Sequence, residues 1–298
     1  MNMSVDGAFI YFTIPIFGGI NITQTTVSHL IVTILLCWLS VYLGKNLKKR
    51  PDGKQVLVEK GVMMLRNMVA ETMGEHNIHW TPFIGTIFLS SICGSFIGLT
   101  GFLRSSTADL SCTLVWALMV TAIIWYNNIK NNGFLGWLKG FTEPIVVMTP
   151  MNIISEIAQP VSMAFRHFGN VAGGGVITAL IYTSLSLASA LIMNLLSANG
   201  GIAAMILLGV GIGLMIYWKQ QRKLVLMILG IVSSLLGLFG VLQAFGILTD
   251  VPILAYGIPA VLSCYFDIFS GFVQAYVFTL LTMVYISASL PGPDEQAE

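Results

Sequence analysis

Residues 160–175 read PVSMAFRHFGNVAGGG, and the arginine in their middle decides how the chain must fold. Arg166 lies far from either end of an apolar run, 144–194, whose only readily charged residues are Glu156, Arg166 and His167. A charge so deep in hydrocarbon costs about 2.5–3.5 kcal/mol on insertion scales and cannot easily snorkel to water. As one straight helix the run would be about 77 Å long, against a hydrocarbon core of about 30 Å. Pro144, Pro150 and Pro160 offer breaks; the alternative is a steeply inclined helix. Residues 251–290 pose the same problem. Their single charge is Asp267, and as a helix they would run about 60 Å. Pro252 and Pro259 can shorten that helix only at its start.

Composition agrees that lipid is a solvent for this chain. Of 298 residues, 56% are hydrophobic and only 9% charged, where soluble domains average about 25% charged. A net charge of +1 gives no hint of nucleic acid. Cys37, Cys93, Cys112 and Cys264 lie in apolar stretches without metal-ligand spacing and read as small buried hydrophobes. The N-terminus, MNMSVDGAFIYF, has neither the basic start of a secretory signal nor the Arg- and Ser-rich character of a transit peptide. A bacterial inner membrane is the simplest setting. No nucleotide-binding loop, metal site or cofactor is implied.

The first predicted span, Val27 to Gly44, precedes the basic run Lys45, Lys48, Lys49, Arg50 and Lys54. Positive loops stay in the cytoplasm, so the N-terminus should lie outside. Residues 55–78 mix charged and apolar residues as an amphipathic surface segment. Spans at 82–103 and 110–127 follow, with YNNIKNNGFLGWLKGFTEP (126–144) as an inner loop carrying Lys130 and Lys139. Residues 202–218 and 224–248 form another apolar pair around Lys219, Arg222 and Lys223, also inside. One crossing each by 144–194 and 251–290 puts the C-terminus in the cytoplasm. The expected fold is an all-α, polytopic membrane protein with about seven membrane helices, two of them long and steeply inclined. Within this single membrane domain, 1–298, residues 27–130 supply peripheral helices and the amphipathic segment, 133–195 and 251–290 the ion path, and 196–250 an extra hairpin.

Arg166 shares a helical face with Asn170 and Gly173. A guanidinium on a small, polar face suggests close approach by a partner. The bland alternative pairs it internally with a backbone carbonyl or with Glu156, which is ten residues away and about 80° off the Arg166 face. Asp267 opens a stripe of Ser270, Gly271, Gln274, Phe278, Thr282 and Tyr285. Such a stripe lines either a water-filled cavity or a helix–helix seam; the acid at its end favours an ion path. Glu156 either serves a path on the other side of Arg166 or pairs structurally. His167 points about 100° away from Arg166; His29, His76 and His79 read as interfacial or solvated.

GFLGWLKGFTEP, then PMNIISEIAQPVSMAFRHFGNVAGG, then FDIFSGFVQAYVFTLLTMVYIS together resemble the a subunit of F-type ATP synthases, most specifically at Arg166–Asn170 and Gln274–Thr282. The resemblance implies a stator beside a ring of c subunits, each with a carboxylate in mid-membrane, and held by a b-subunit stalk. Two offset aqueous half-channels carry protons or sodium ions to and from that carboxylate, and the proton is the first expectation. Arg166 then matches the arginine separating the half-channels, and Asn170 and Gln274 its polar neighbours. Asp267 falls where many members have Glu or His on the outer side, and Glu156 matches an acid before the arginine. His167 stands where Leu is usual, and Gly175 where many members carry an acid. The resemblance assigns no role to 196–250. A self-contained secondary ion transporter using Glu156, Arg166 and Asp267 is the competing reading, and a structural scaffold a third.

Overall fold

Inside lipid a chain must satisfy its own backbone hydrogen bonds, and a single segment does so only as a helix. The computed structural model describes residues 9–15, 20–45, 47–50, 53–100, 102–248, 252, 255, 261, 262 and 264–291. Eight α-helices run through them: α1 Gln24–Gly44, α2 Lys54–Met73, α3 Thr81–Phe96, α4 Leu110–Gly140, α5 Thr149–Ser197, α6 Ile202–Gln221, α7 Leu224–Ala244 and α8 Gly271–Ala288. All but α2 belong to the seven helical stretches long and apolar enough to cross a membrane. The protein is an all-α polytopic membrane protein.

Three stretches differ from the sequence reading, and a fourth decides between two alternatives it left open. Before α1, β1 (Ile10–Ile14) pairs antiparallel with β2 (Ile20–Thr23), a hairpin suited to the β-branched and aromatic residues there. The inner loop expected from 128 onward is instead the end of α4, which runs to Gly140 and turns only at Gly133, with φ 69°. Cys37 and Cys264 are exposed rather than buried. Finally, α5 is unbroken. Pro150 sits in its first turn, where a missing N–H costs nothing, and Pro160 lies inside it. A straight helix of 49 residues would run about 73 Å, more than twice the thickness of the hydrocarbon core. The second long run is only partly described: a π-helical turn, Cys264–Ser270, leads directly into α8.

The chain divides into two compact units, one of residues 1–175 and 264–298, the other of 176–263. The core of the first is shared by five helices. Val69 and Met73 of α2, Ile84 and Ile87 of α3, Trp116 and Val120 of α4, Met163 and Ala164 of α5, and Phe278, Met283 and Ile286 of α8 pack together there. Amphipathic α2 therefore docks by its last turns while Leu57, Val62 and Met64 stay exposed. In the second unit, α6 and α7 lie side by side across a two-residue turn in which Arg222 takes a left-handed conformation, φ 50°. The helices meet through small residues: a Cβ on Gly240 would come within 2.7 Å of the Ala204 methyl. Gln243 Nε2 donates to Asn194 Oδ1 at 3.1 Å.

Candidate functional site

Residues three, four and seven apart share a helical face, and on α5 that face is Arg166, Gly169, Asn170 and Gly173. Arg166 and Asn170 are exposed, and a Cβ added at Gly169 or Gly173 would meet nothing within 4 Å. Among the described residues no carboxylate pairs with Arg166. The pairing with Glu156 that would have made Arg166 a structural residue is not formed: Glu156 instead accepts a hydrogen bond from the Trp125 indole, 2.5 Å away.

The opposite face of α5 is buried. His167 has no exposed surface; its Nε2 lies 3.2 Å from the Ser91 hydroxyl of α3, and its ring sits edge-on to Phe278 and Trp116. One residue thus presents a cation outward while the next keys α5 into the core. Asn170 joins the two faces by donating through Nδ2 to Gln274 Oε1 at 2.6 Å, so the sequence pair Asn170–Gln274 meets.

The α8 stripe resolves into two parts. Gly271, Gln274, Phe278 and Thr282 are buried. The Thr282 hydroxyl donates back to the Phe278 carbonyl, as helical threonines do. That length packs against neighbouring helices. The other end differs: Asp267 and Ser270 are half-buried within the π-helical turn. Beside them Phe266 packs so closely on α5 that a Cβ on Gly174 would fall 2.7 Å from its ring. Asp267 and Gly175 therefore each adjoin a residue of one tight contact.

Glu156 lines a polar cavity of about 440 Å³ together with Asn128, Asn132, Glu143, Asn152 and Ser155. Asn152 braces it by donating to the carbonyls of Phe141 and Glu143, at 2.8 and 3.1 Å. Pro160 has no N–H to give the Glu156 carbonyl four residues earlier. Reading 126–144 as a loop missed these asparagines. Their spacing held the signal: Asn128 and Asn132 share the cavity face, while Asn127 and Asn131 share the next and donate to Ser289, to its hydroxyl and carbonyl oxygens respectively. Trp125 carried no comparable signal.

Helices long and apolar enough to cross a membrane, with Arg166 exposed midway along one of them, define a polytopic membrane protein. The family model described as ATP synthase A chain matches residues 26–218. The sodium-ion-specific ATP synthase subunit a of Propionigenium modestum is 28% identical over 91% of this chain and 75% of its own length. ATP synthase subunit a 1 of Crocosphaera subtropica is 30% identical over 68% of this chain and 91% of its own. A chloroplast ATP synthase subunit a, from Stigeoclonium helveticum, is 31% identical over 46% and 62%. The chain belongs to the ATP synthase A chain family. It is a non-catalytic, ion-translocating subunit of the membrane sector, which removes the self-contained transporter and the scaffold as readings.

Proposed function

We propose that this subunit is the stator against which a ring of c subunits turns, and that Arg166 separates two half-channels leading to the ring's carboxylates. The observation that carries the reading is Arg166, without a carboxylate partner among the described residues, on an open glycine face of a long apolar helix. Arginine keeps its proton throughout the physiological range, so it cannot relay one. It can hold a passing carboxylate ionised, so that each ring site must release its ion before it moves past. Its fixed charge also opposes direct flow between the channels. A membrane potential adds about 2.3 kcal/mol per charge per 100 mV to bias rotation.

Asp267 serves the outer half-channel. Its place beside the Gly174–Phe266 contact supports its acting for the acid that relatives carry at the position of Gly175. Glu156 serves the cytoplasmic half-channel, and its polar cavity supports that role. Asn170 and Gln274 keep the two helices in register beside Arg166. The basic segments 45–54 and 219–223 face the cytoplasm of a bacterial cell, with the N-terminus outside and the C-terminus inside. Residues 133–195 and 251–290 carry the path, 27–130 stand beside it, and 196–250 add a hairpin. A b-subunit stalk holds the assembly against the ring's torque.

Two titratable relays favour the proton as coupling ion, while the sodium-specific relative from Propionigenium modestum keeps sodium as the second reading. ATP-driven pumping by the whole complex in vesicles decides between them. Acidification in sodium-free buffer is expected. Pumping that requires added sodium would favour the second reading. In the same vesicles Glu156→Gln is expected to slow pumping several-fold, with normal assembly and no added leak. Unchanged pumping would remove Glu156 from the path.

A further inference from the structure

The basic end of α1 holds a feature that ion translocation does not use. A cavity of about 380 Å³ lies between the end of α1, the segment after it and the start of α2, and its walls include Lys45, Lys48 and Lys54 beside Tyr42, Leu43 and Leu47. Among the described residues no carboxylate pairs with these three lysines, and the nearby Glu59 already accepts from Gln55 Nε2 at 2.7 Å. Lys48 is tied to α2 through its backbone. The Gln55 side chain accepts from the Lys48 N–H at 3.0 Å and donates to the Lys48 carbonyl at 2.9 Å, which ties the lysines to α2.

Three cations could simply be answering the carbonyl end of α1. That end carries only about half a negative charge, so most of their charge is left over. The cavity's composition says what would take the rest. One wall is cationic, the other is apolar and continues down α1 past a stacked, exposed Trp38–Tyr42 pair, ring centroids 5.5 Å apart. Aromatic rings of this kind sit at headgroup level, and basic pockets there suit phosphate headgroups. A free anion would use the lysines but not the apolar wall. We infer that this cavity binds the headgroup of an anionic phospholipid, its phosphate against Lys45, Lys48 and Lys54 and its acyl chains along Tyr42, Leu43 and Leu47.

The test uses the whole purified complex, exchanged into phosphatidylcholine vesicles with a minor fraction of phosphatidylglycerol, followed by counting of phosphatidylglycerol retained through detergent extraction. Replacing all three lysines with glutamine is expected to weaken retention roughly 100-fold. Replacing all three with arginine is expected to preserve it, which separates loss of charge from loss of fold. Lys139→Gln, a cationic change elsewhere, is expected to leave it alone, as is added inorganic phosphate. Equal retention by the glutamine variant, equal loss with Lys139→Gln, or displacement of the lipid by inorganic phosphate would each overturn the assignment. The readout is lipid, so the result does not depend on how Arg166 works.

Discussion

Vesicles carrying Arg166→Ala should make almost no ATP, yet should let ions run down a gradient faster than wild type once the catalytic head is stripped away. Both halves follow from one charge. Removing one partner of a desolvated charge pair costs about 2–5 kcal/mol, which corresponds to a loss of roughly 30-fold to a few thousand-fold. The same substitution removes the fixed positive charge between the half-channels, so the barrier to passive flow falls. Arg166→Lys separates the two effects. It keeps a cation, but loses the planar, multi-donor head and gains a group whose pKa can fall on burial. Synthesis should fall nearly as far as in the alanine variant, with a smaller leak. Synthesis near the wild-type rate in Arg166→Ala vesicles would show that the arginine does not govern rotation.

Asp267→Asn should be the next most damaging change. A positioned proton-transfer group is worth roughly 100-fold or more. Water reaching a half-buried site can replace part of that, so ATP-driven pumping should drop at least about tenfold. Assembly should be unaffected, because Asp267 is only half-buried and is not among the residues of the packed core. Asp267→Glu keeps the carboxylate and should retain much of the rate. Moving the acid, with Asp267→Asn and Gly175→Glu together, should restore pumping in part, since both positions adjoin the Gly174–Phe266 contact. Full pumping by the single asparagine variant would show that this acid is not needed.

What the sequence made legible depended on whether a residue's cost was visible without knowing its neighbours. Arg166 was visible because a permanent charge in an apolar run needs a reason wherever it points. Asn170 and Gln274 were visible through the family motif, and they do meet. The polar stripe after Asp267 was ambiguous, because helix spacing marks a special face without saying what covers it; burial of Gln274, Phe278 and Thr282 makes most of it a seam. The run NNIKNN looked like a loop because asparagine is a poor helix former, but tertiary partners at Ser289 and around the Glu156 cavity overrode that preference. Pro160 looked like a break in a helix that continues through it. Trp125 could not have been singled out, because its importance lies wholly in the carboxylate opposite it. The same holds for His167, whose outward or inward direction was fixed only once α3 and α8 were in place.

The central claim is that the open face of α5 meets the ring, and disulfide cross-linking tests it most directly. In a chain freed of its four native cysteines, single cysteines would be placed at Gly169 and Gly173, where a Cβ meets no described residue within 4 Å, and at Ala164, which is fully buried. Each would be paired with a cysteine near the c-subunit carboxylate in the assembled complex. Oxidation is expected to join both glycine positions to the ring and to leave Ala164 unjoined. Failure of both glycine positions to cross-link in assembled complexes, or cross-linking from Ala164 alone, would contradict a stator face centred on Arg166.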